Sequence, residues 1–197
     1  MLLRPFAAFF LGIIGAALCP AQNADLGLLF SFRRSSYEFN IPPNRITATS
    51  NGVSVGFVPA FQVRERGPHR LYIELPYLDA GGVSASIVAG LVSTRQSLST
   101  LSAGPRYQYA FSDRWSVYGA VDLGVGWSQH ASVFRTSTFQ ASSHTEANPA
   151  LGYGGGVDYR ISKLLSVRAE LRHFVLFGTV PGGRHGLSPS FGMAVHF

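Results

Sequence analysis

Counting back from Phe197 in steps of two, the chain reads Val195, Met193, Phe191, Pro189 and Leu187, with His196, Ala194, Gly192, Ser190 and Ser188 between them. One face is oily and the other small or polar, the period-two signature of a strand lying between two unlike surroundings. The same alternation runs through about Asp25 to Arg33, Gly52 to Val63, Leu71 to Leu78, Leu98 to Phe111, Trp115 to Ser128, Ala150 to Ile161 and Leu165 to Phe174. With Leu187 to Phe197 these make eight predicted strands, and no segment has convincing helical spacing. In the fifth, Trp115, Val117, Gly119, Val121, Leu123, Val125 and Trp127 share one face, and Ser116, Tyr118, Ala120, Asp122, Gly124, Gly126 and Ser128 the other. Indoles at both ends of an apolar row suit the two interfaces of a membrane, since each has an oily body and a polar N–H. At roughly 3.3 Å per residue and a tilt near 45°, the row rises about 28 Å, close to the roughly 25 Å apolar band of a membrane barrel.

The connections sort by length. Ser112 to Arg114 and Ser162 to Leu164 are short, Arg64 to Arg70 slightly longer, whereas Arg34 to Asn51, Asp79 to Ser97, Gln129 to Pro149 and Val175 to Gly186 are long and polar. Short turns at one end and long loops at the other, with an even strand count, predict an all-β, eight-stranded antiparallel up-and-down transmembrane β-barrel. Both termini are then expected in the periplasm. Two of the predicted hairpins echo each other at an offset of 50: Tyr109, Phe111, Ser112, Ser116 and Val117 recur as Tyr159, Ile161, Ser162, Ser166 and Val167. Shared turn chemistry accounts for the echo as well as duplication does.

At the other terminus, Arg4 precedes an apolar run from Phe6 to Leu18, followed by Cys19, Pro20 and Ala21. This is the order of a secretory signal peptide, and the run is shorter than the roughly 20 residues a spanning helix needs. The expected division is a cleaved signal peptide over 1–21 and a barrel over 22–197. Leu18 before Cys19 argues against lipidation, and the remaining chain contains no cysteine to form a disulfide. The net charge is +6, and 15 of the 16 basic residues are arginine. They are scattered without a basic cluster, which speaks against nucleic acid as a partner.

The face opposite the oily one collects Glu74, Arg106, Gln108, Asp122, Asp158, Arg160, Arg168, Glu170, Arg172 and His196. A small barrel has an interior just wide enough for side chains, and charges enclosed there must pair. Four acids (Glu74, Asp122, Asp158, Glu170) against four arginines (Arg106, Arg160, Arg168, Arg172) predict a neutral, salt-bridged plug rather than an open pore. A small ion-conducting path through the same residues is the alternative. Tyr107, Tyr109, Phe111, Trp115, Trp127 and Tyr159 are the expected aromatic girdle.

With its signal peptide, eight alternating strands, serine-led turns and terminal aromatic, the chain resembles the small outer-membrane β-barrel family that includes OmpA-type and OmpX-type barrels. The resemblance implies an outer-membrane location amid lipid and lipopolysaccharide. It also implies that Phe191, Met193, Val195 and Phe197 act as the signal read by the barrel-assembly machinery. No periplasmic domain is expected after the barrel, and a monomer is expected. In that family a fixed fold carries roles from anchoring and adhesion to lipid-modifying catalysis, so fold alone does not choose among them. A structural or surface-interaction role through the long loops is the leading expectation, with Arg45, Arg95, Arg135 and Arg184 placed to meet anionic groups. A lipid hydrolase would need a histidine beside a serine and an acid, for which His173 with Arg172, and His144 with Glu146, are the candidates. Neither has a supporting motif, so no catalytic residue is predicted. The six dispersed histidines give no metal-ligand spacing, and no cofactor is expected. Gly152, Gly154, Gly155 and Gly156 lack the lysine and helix of a phosphate loop and are expected to relieve crowding in the sheet.

Overall fold

A computed structural model describes residues 23–41, 44–87, 92–135, 139–178 and 184–197. The expected signal peptide therefore lies outside the described residues. Among the described residues there are nine hydrogen-bonded strands: β1 (Ala24–Ile41), β2 (Asn44–Arg66), β3 (His69–Glu74), β4 (Tyr77–Ile87), β5 (Val92–Ala110), β6 (Trp115–Arg135), β7 (Phe139–Arg160), β8 (Leu165–Leu176) and β9 (Arg184–His196). β3 and β4 are one barrel stave, since both pair with β2 on one side and β5 on the other. The break falls at Leu75 and Pro76, because proline has no N–H to give the ladder. The Leu75 amide still donates to the Pro59 carbonyl at 2.9 Å, and the Pro76 carbonyl accepts from Ser102 at 3.1 Å. Eight antiparallel staves result, as the alternation predicts.

The sheet closes on itself where β1 meets β9, from Asp25↔His196 to Ser35↔Gly186. Beyond that ladder, the Phe197 amide donates to the Ala24 carbonyl at 2.9 Å. Closure removes the open edge that a membrane could not satisfy. The predicted register holds along β6, where Leu123 is 66% exposed and Asp122 1%. Along β9, Leu187, Phe191, Met193, Val195 and Phe197 face outward while Ser188, Ser190 and Ala194 are buried.

The connections depart from expectation at both ends. The link expected over Arg64 to Arg70 is a tight turn at Gly67 and Pro68, with Arg66 paired to His69 and Gly67 at φ +60°, a conformation glycine adopts without strain. Three of the four stretches expected as long loops are largely paired strand, and 179–183 of the fourth lie outside the described residues. β1 and β2 continue to Ile41↔Asn44, β5 meets β4 up to Ile87↔Val92, and β6 and β7 run to Arg135↔Phe139. Threonine, serine and aromatic residues keep strand propensity there, while loss of the oily face past the membrane erases the alternation by which strands are read. The side chains of Arg45, Arg95, Arg135 and Arg184 lie outside what is described.

Candidate functional site: the polar lumen

The two serine-led turns are built alike. At one, Ser112 Oγ accepts the Trp115 amide at 3.0 Å, and the Ser112 amide donates to the Trp115 carbonyl at 3.3 Å. At the other, Ser162 Oγ accepts the Leu164 amide at 3.3 Å, and the Ser162 amide donates to the Leu165 carbonyl at 3.1 Å. Each serine supplies the acceptor a tight turn lacks. Together they fix the registers of β6 and β8, the strands that carry Asp122, Arg168, Glu170 and Arg172 inward.

Arg172 is the hub. It donates Nε to Glu170 Oε1 at 2.9 Å, Nη1 to Asp122 Oδ2 at 3.0 Å and Nη2 to Glu74 Oε1 at 2.6 Å, joining β8, β6 and β3. Arg168 holds Asp158 of β7 in a two-pronged pair, Nε to Oδ1 at 2.7 Å and Nη2 to Oδ2 at 2.9 Å. The matched forks of guanidinium and carboxylate make such a pair strong. Arg106 of β5 bonds Asp25 of β1, and its Nη1 lies 3.9 Å from Glu74 Oε2. Its Nε and Nη1 have no hydrogen-bond acceptor, but the guanidinium lies 4.2 Å from the Tyr72 ring centroid and 5.5 Å from that of Tyr118. Aromatic faces supply part of the charge stabilisation that those nitrogens lack.

The periphery of the network is bonded in part, with Glu74 Oε2, Gln108 Oε1 and Arg168 Nη1 buried without a hydrogen-bond partner. Tyr118 donates its hydroxyl to Glu170 Oε2 at 2.6 Å, and Ser102 bonds Asp122. His196 Nδ1 meets Asp25 Oδ1 at 2.6 Å, while its Nε2 meets Ser166 Oγ at 3.0 Å. Gln108 Nε2 reaches Ser116 Oγ at 2.6 Å and Asp158 Oδ2 at 3.4 Å.

Of the eight predicted network residues, the fold brings together Glu74, Arg106, Asp122, Asp158, Arg168, Glu170 and Arg172. Arg160 is set apart, half-buried at the end of β7 and in none of these ion pairs. Asp25 is the residue the sequence reading missed. Its parity with Gly27 and Ser31 places it inward, but standing at the start of a strand it reads as a terminal polar residue. Among the described residues the balance is thus five buried acids around three buried arginines, with His196 at the rim, instead of four against four.

Past the hub the lumen becomes mostly apolar. Phe174 and Leu176 follow Arg172 along the inward row of β8, with Ala150 packed on Leu176, and Leu29 of β1, Leu78 of β4 and Thr100 of β5 are buried as well. The β7 glycines relieve crowding here: a Cβ on Gly152 would come 2.4 Å from Asp122 Oδ1, and one on Gly156 2.6 Å from the Tyr118 hydroxyl. At the turn end the lumen opens into a cavity of about 500 Å³ lined by Gln108, Arg114, Ser116, Arg160 and His196 among others. A second cavity, of about 230 Å³, shares Arg160 and His196 with it.

On the outer wall, Tyr107, Tyr109, Phe111 and Trp115 are exposed near the turns, and Trp127 toward the hairpin end. Tyr159 is half-buried against Trp115, with ring centroids 4.7 Å apart. Tyr107 and Tyr109 flank His69, whose Nδ1 lies 2.5 Å from the Tyr107 hydroxyl. The catalytic candidates are not assembled: Arg172 points into the lumen, whereas His173 points outward and packs against Tyr153 and His185. The side chain of His144 lies outside what is described. Among the described residues no group of three histidine, cysteine or acidic side chains converges to hold a metal.

A closed antiparallel barrel with an oily wall and a charged, paired interior defines an integral outer-membrane β-barrel. Residues 68–191 match the family model of the outer membrane protein β-barrel domain, and the chain belongs to that family. No curated protein matches it. Among solved structures it is similar to Neisserial surface protein A, at 13% identity and a TM-score of 0.56, covering 88% of this chain and 99% of that one. A major outer membrane protein from Thermus thermophilus gives 13% identity and a TM-score of 0.57, covering 86% and 99%. The outer membrane protease OmpT from Escherichia coli gives 10% identity and a TM-score of 0.52, covering 91% and 98%. At these identities the likeness is one of fold.

Proposed function

We propose that this protein is a sealed, non-catalytic outer-membrane barrel whose task lies in its hairpins rather than its lumen. The observation that carries this reading is the filling of the interior, Arg172 bound to three carboxylates and Phe174 and Leu176 packed beyond it. A charge enclosed by partners is fixed in place, and an apolar layer in series with it excludes water from the axis. The short turns and both termini face the periplasm, and the extended hairpins face outward, toward lipopolysaccharide. The barrel is a monomer, released from a precursor by removal of residues 1–21. Phe191, Met193, Val195 and Phe197 present the row that the assembly machinery reads. Planar-bilayer recording tests the seal: the purified protein should give no steady conductance, and a large, continuously open pore would overturn the reading.

A further inference from the structure

The turn-end cavity is not used by this reading. Two neighbouring openings, of about 500 and 230 Å³, share Arg70, Arg160 and His196, and Arg114, whose Nη1 donates to the Tyr159 hydroxyl at 3.4 Å, lines the larger one. Asp113 also lines the larger one, and the remaining acids are already occupied. Asp158 is held by both prongs of Arg168, Asp25 by Arg106 and His196, and Glu65 by Gln62 at 3.0 Å and Arg70 at 3.1 Å. Arg160 takes part in none of these bonds, although its charge acts on Glu65, and the residue is half-buried, where a charge-assisted pair is worth more than in open water. Deeper in, Gln108 is 4% exposed, and its Oε1 is buried without a donor. Beside it the Ser116 hydroxyl, which accepts from Gln108, still has its own proton to give. A guest that fits offers oxygens to a guanidinium and a hydroxyl, and an O–H to the amide oxygen.

We propose that this vestibule is a binding site for a phosphate-class oxyanion, gripped by Arg160 with Arg114 at the rim and by Ser116 and Gln108 within. A protonated phosphate has both kinds of group, acceptor oxygens and an O–H donor, whereas sulfate has acceptors alone. The site stands irrespective of which membrane side the turns face.

Titration calorimetry of the full barrel in nanodiscs, at constant ionic strength and pH 6, with inorganic phosphate as the probe, tests it. Saturable binding is expected, weakened about tenfold in Arg160→Gln, the loss of roughly one charge-assisted contact, and weakened also in Arg114→Gln. Arg66→Gln, in the exposed turn outside the cavity, should bind like the parent, and sulfate should bind more weakly than phosphate. Gel mobility with and without heating checks that each variant is folded. Absence of saturable phosphate binding overturns the proposal, as does equal weakening in Arg66→Gln and Arg160→Gln, which would mark a diffuse charge effect. Loss of stability in Arg160→Gln without phosphate binding by the parent would make Arg160 a counter-charge of the buried acids and also overturn it.

Discussion

Arg172 answers three carboxylates with one guanidinium, at 2.6, 2.9 and 3.0 Å, so the two kinds of deletion at this hub are not equivalent. Removing the cation strands three buried acids with no other arginine bonded to Asp122 or Glu170, the situation in which breaking a buried pair costs about 3–5 kcal/mol. Removing one acid leaves Arg172 two partners and reduces an excess of negative charge. Arg172→Ala should therefore lower the urea midpoint of the barrel in lipid vesicles severely, by the equivalent of about 3–5 kcal/mol. Glu170→Gln should cost about 1 kcal/mol, because the amide oxygen can still accept from Arg172 while its NH2 donates to the Tyr118 hydroxyl. Equal midpoints for the two variants would mean that the network is not the arrangement described. Gly152 makes the same point sterically: a side chain there would have to displace the Asp122 carboxylate that Arg172 holds.

Along a strand, neighbouring residues meet different solvents, and this is what made the elements legible. On β6, Leu123 faces lipid and Asp122 the hub. Leu123→Arg should impair refolding into vesicles by about 2–4 kcal/mol, the cost of a cation at the membrane midplane. Asp122→Asn keeps a hydrogen-bonding group beside Arg172 and should cost less than that; equal effects would place the register one residue off. The alternation was readable wherever lipid lay on one side and a polar lumen on the other, which fixed the eight staves and the inward parity of the ion-pair residues. It failed where that contrast ends. Toward Ile41 and Asn44 the sequence of β1 and β2 loses its alternating oily positions, so paired strand there reads as polar loop. At the other end, Asp25 and Arg160 both have inward parity, yet one closes into the network and the other stops at its mouth. Spacing along a strand does not tell how far the enclosed section extends. Pro76 interrupts a stave that the alternation reads as one strand from Leu71 to Leu78, and continuity there rests on partners from two other strands.

For the whole molecule, closure and insertion are separable, and Phe197 distinguishes them. In the folded barrel its amide bonds the Ala24 carbonyl at 2.9 Å, its carbonyl accepts the Ala24 amide at 3.4 Å and its ring is 58% exposed, so it adds an end rung to a seam that already runs from Asp25↔His196 to Ser31↔Ser190 and resumes at Arg34↔Leu187. Deleting it removes two backbone hydrogen bonds, about 1–3 kcal/mol, a small part of a closed sheet. Its proposed worth is kinetic: before the sheet closes, β9 must be recognised as the strand to be paired, and an apolar row ending in an aromatic at the chain terminus is the feature presented. The expected outcome is a contrast between two measurements on one variant. Refolded into vesicles in vitro, the chain lacking Phe197 should reach nearly the parent's urea midpoint, whereas in cells its outer-membrane level should fall sharply while unassembled chain is degraded. If cellular insertion proceeded normally, the terminal row would be only the last lipid-facing row of the wall. If instead the midpoint in vitro collapsed, the Phe197 rung would be carrying closure itself, and the β1–β9 seam would be weaker than its ladder implies.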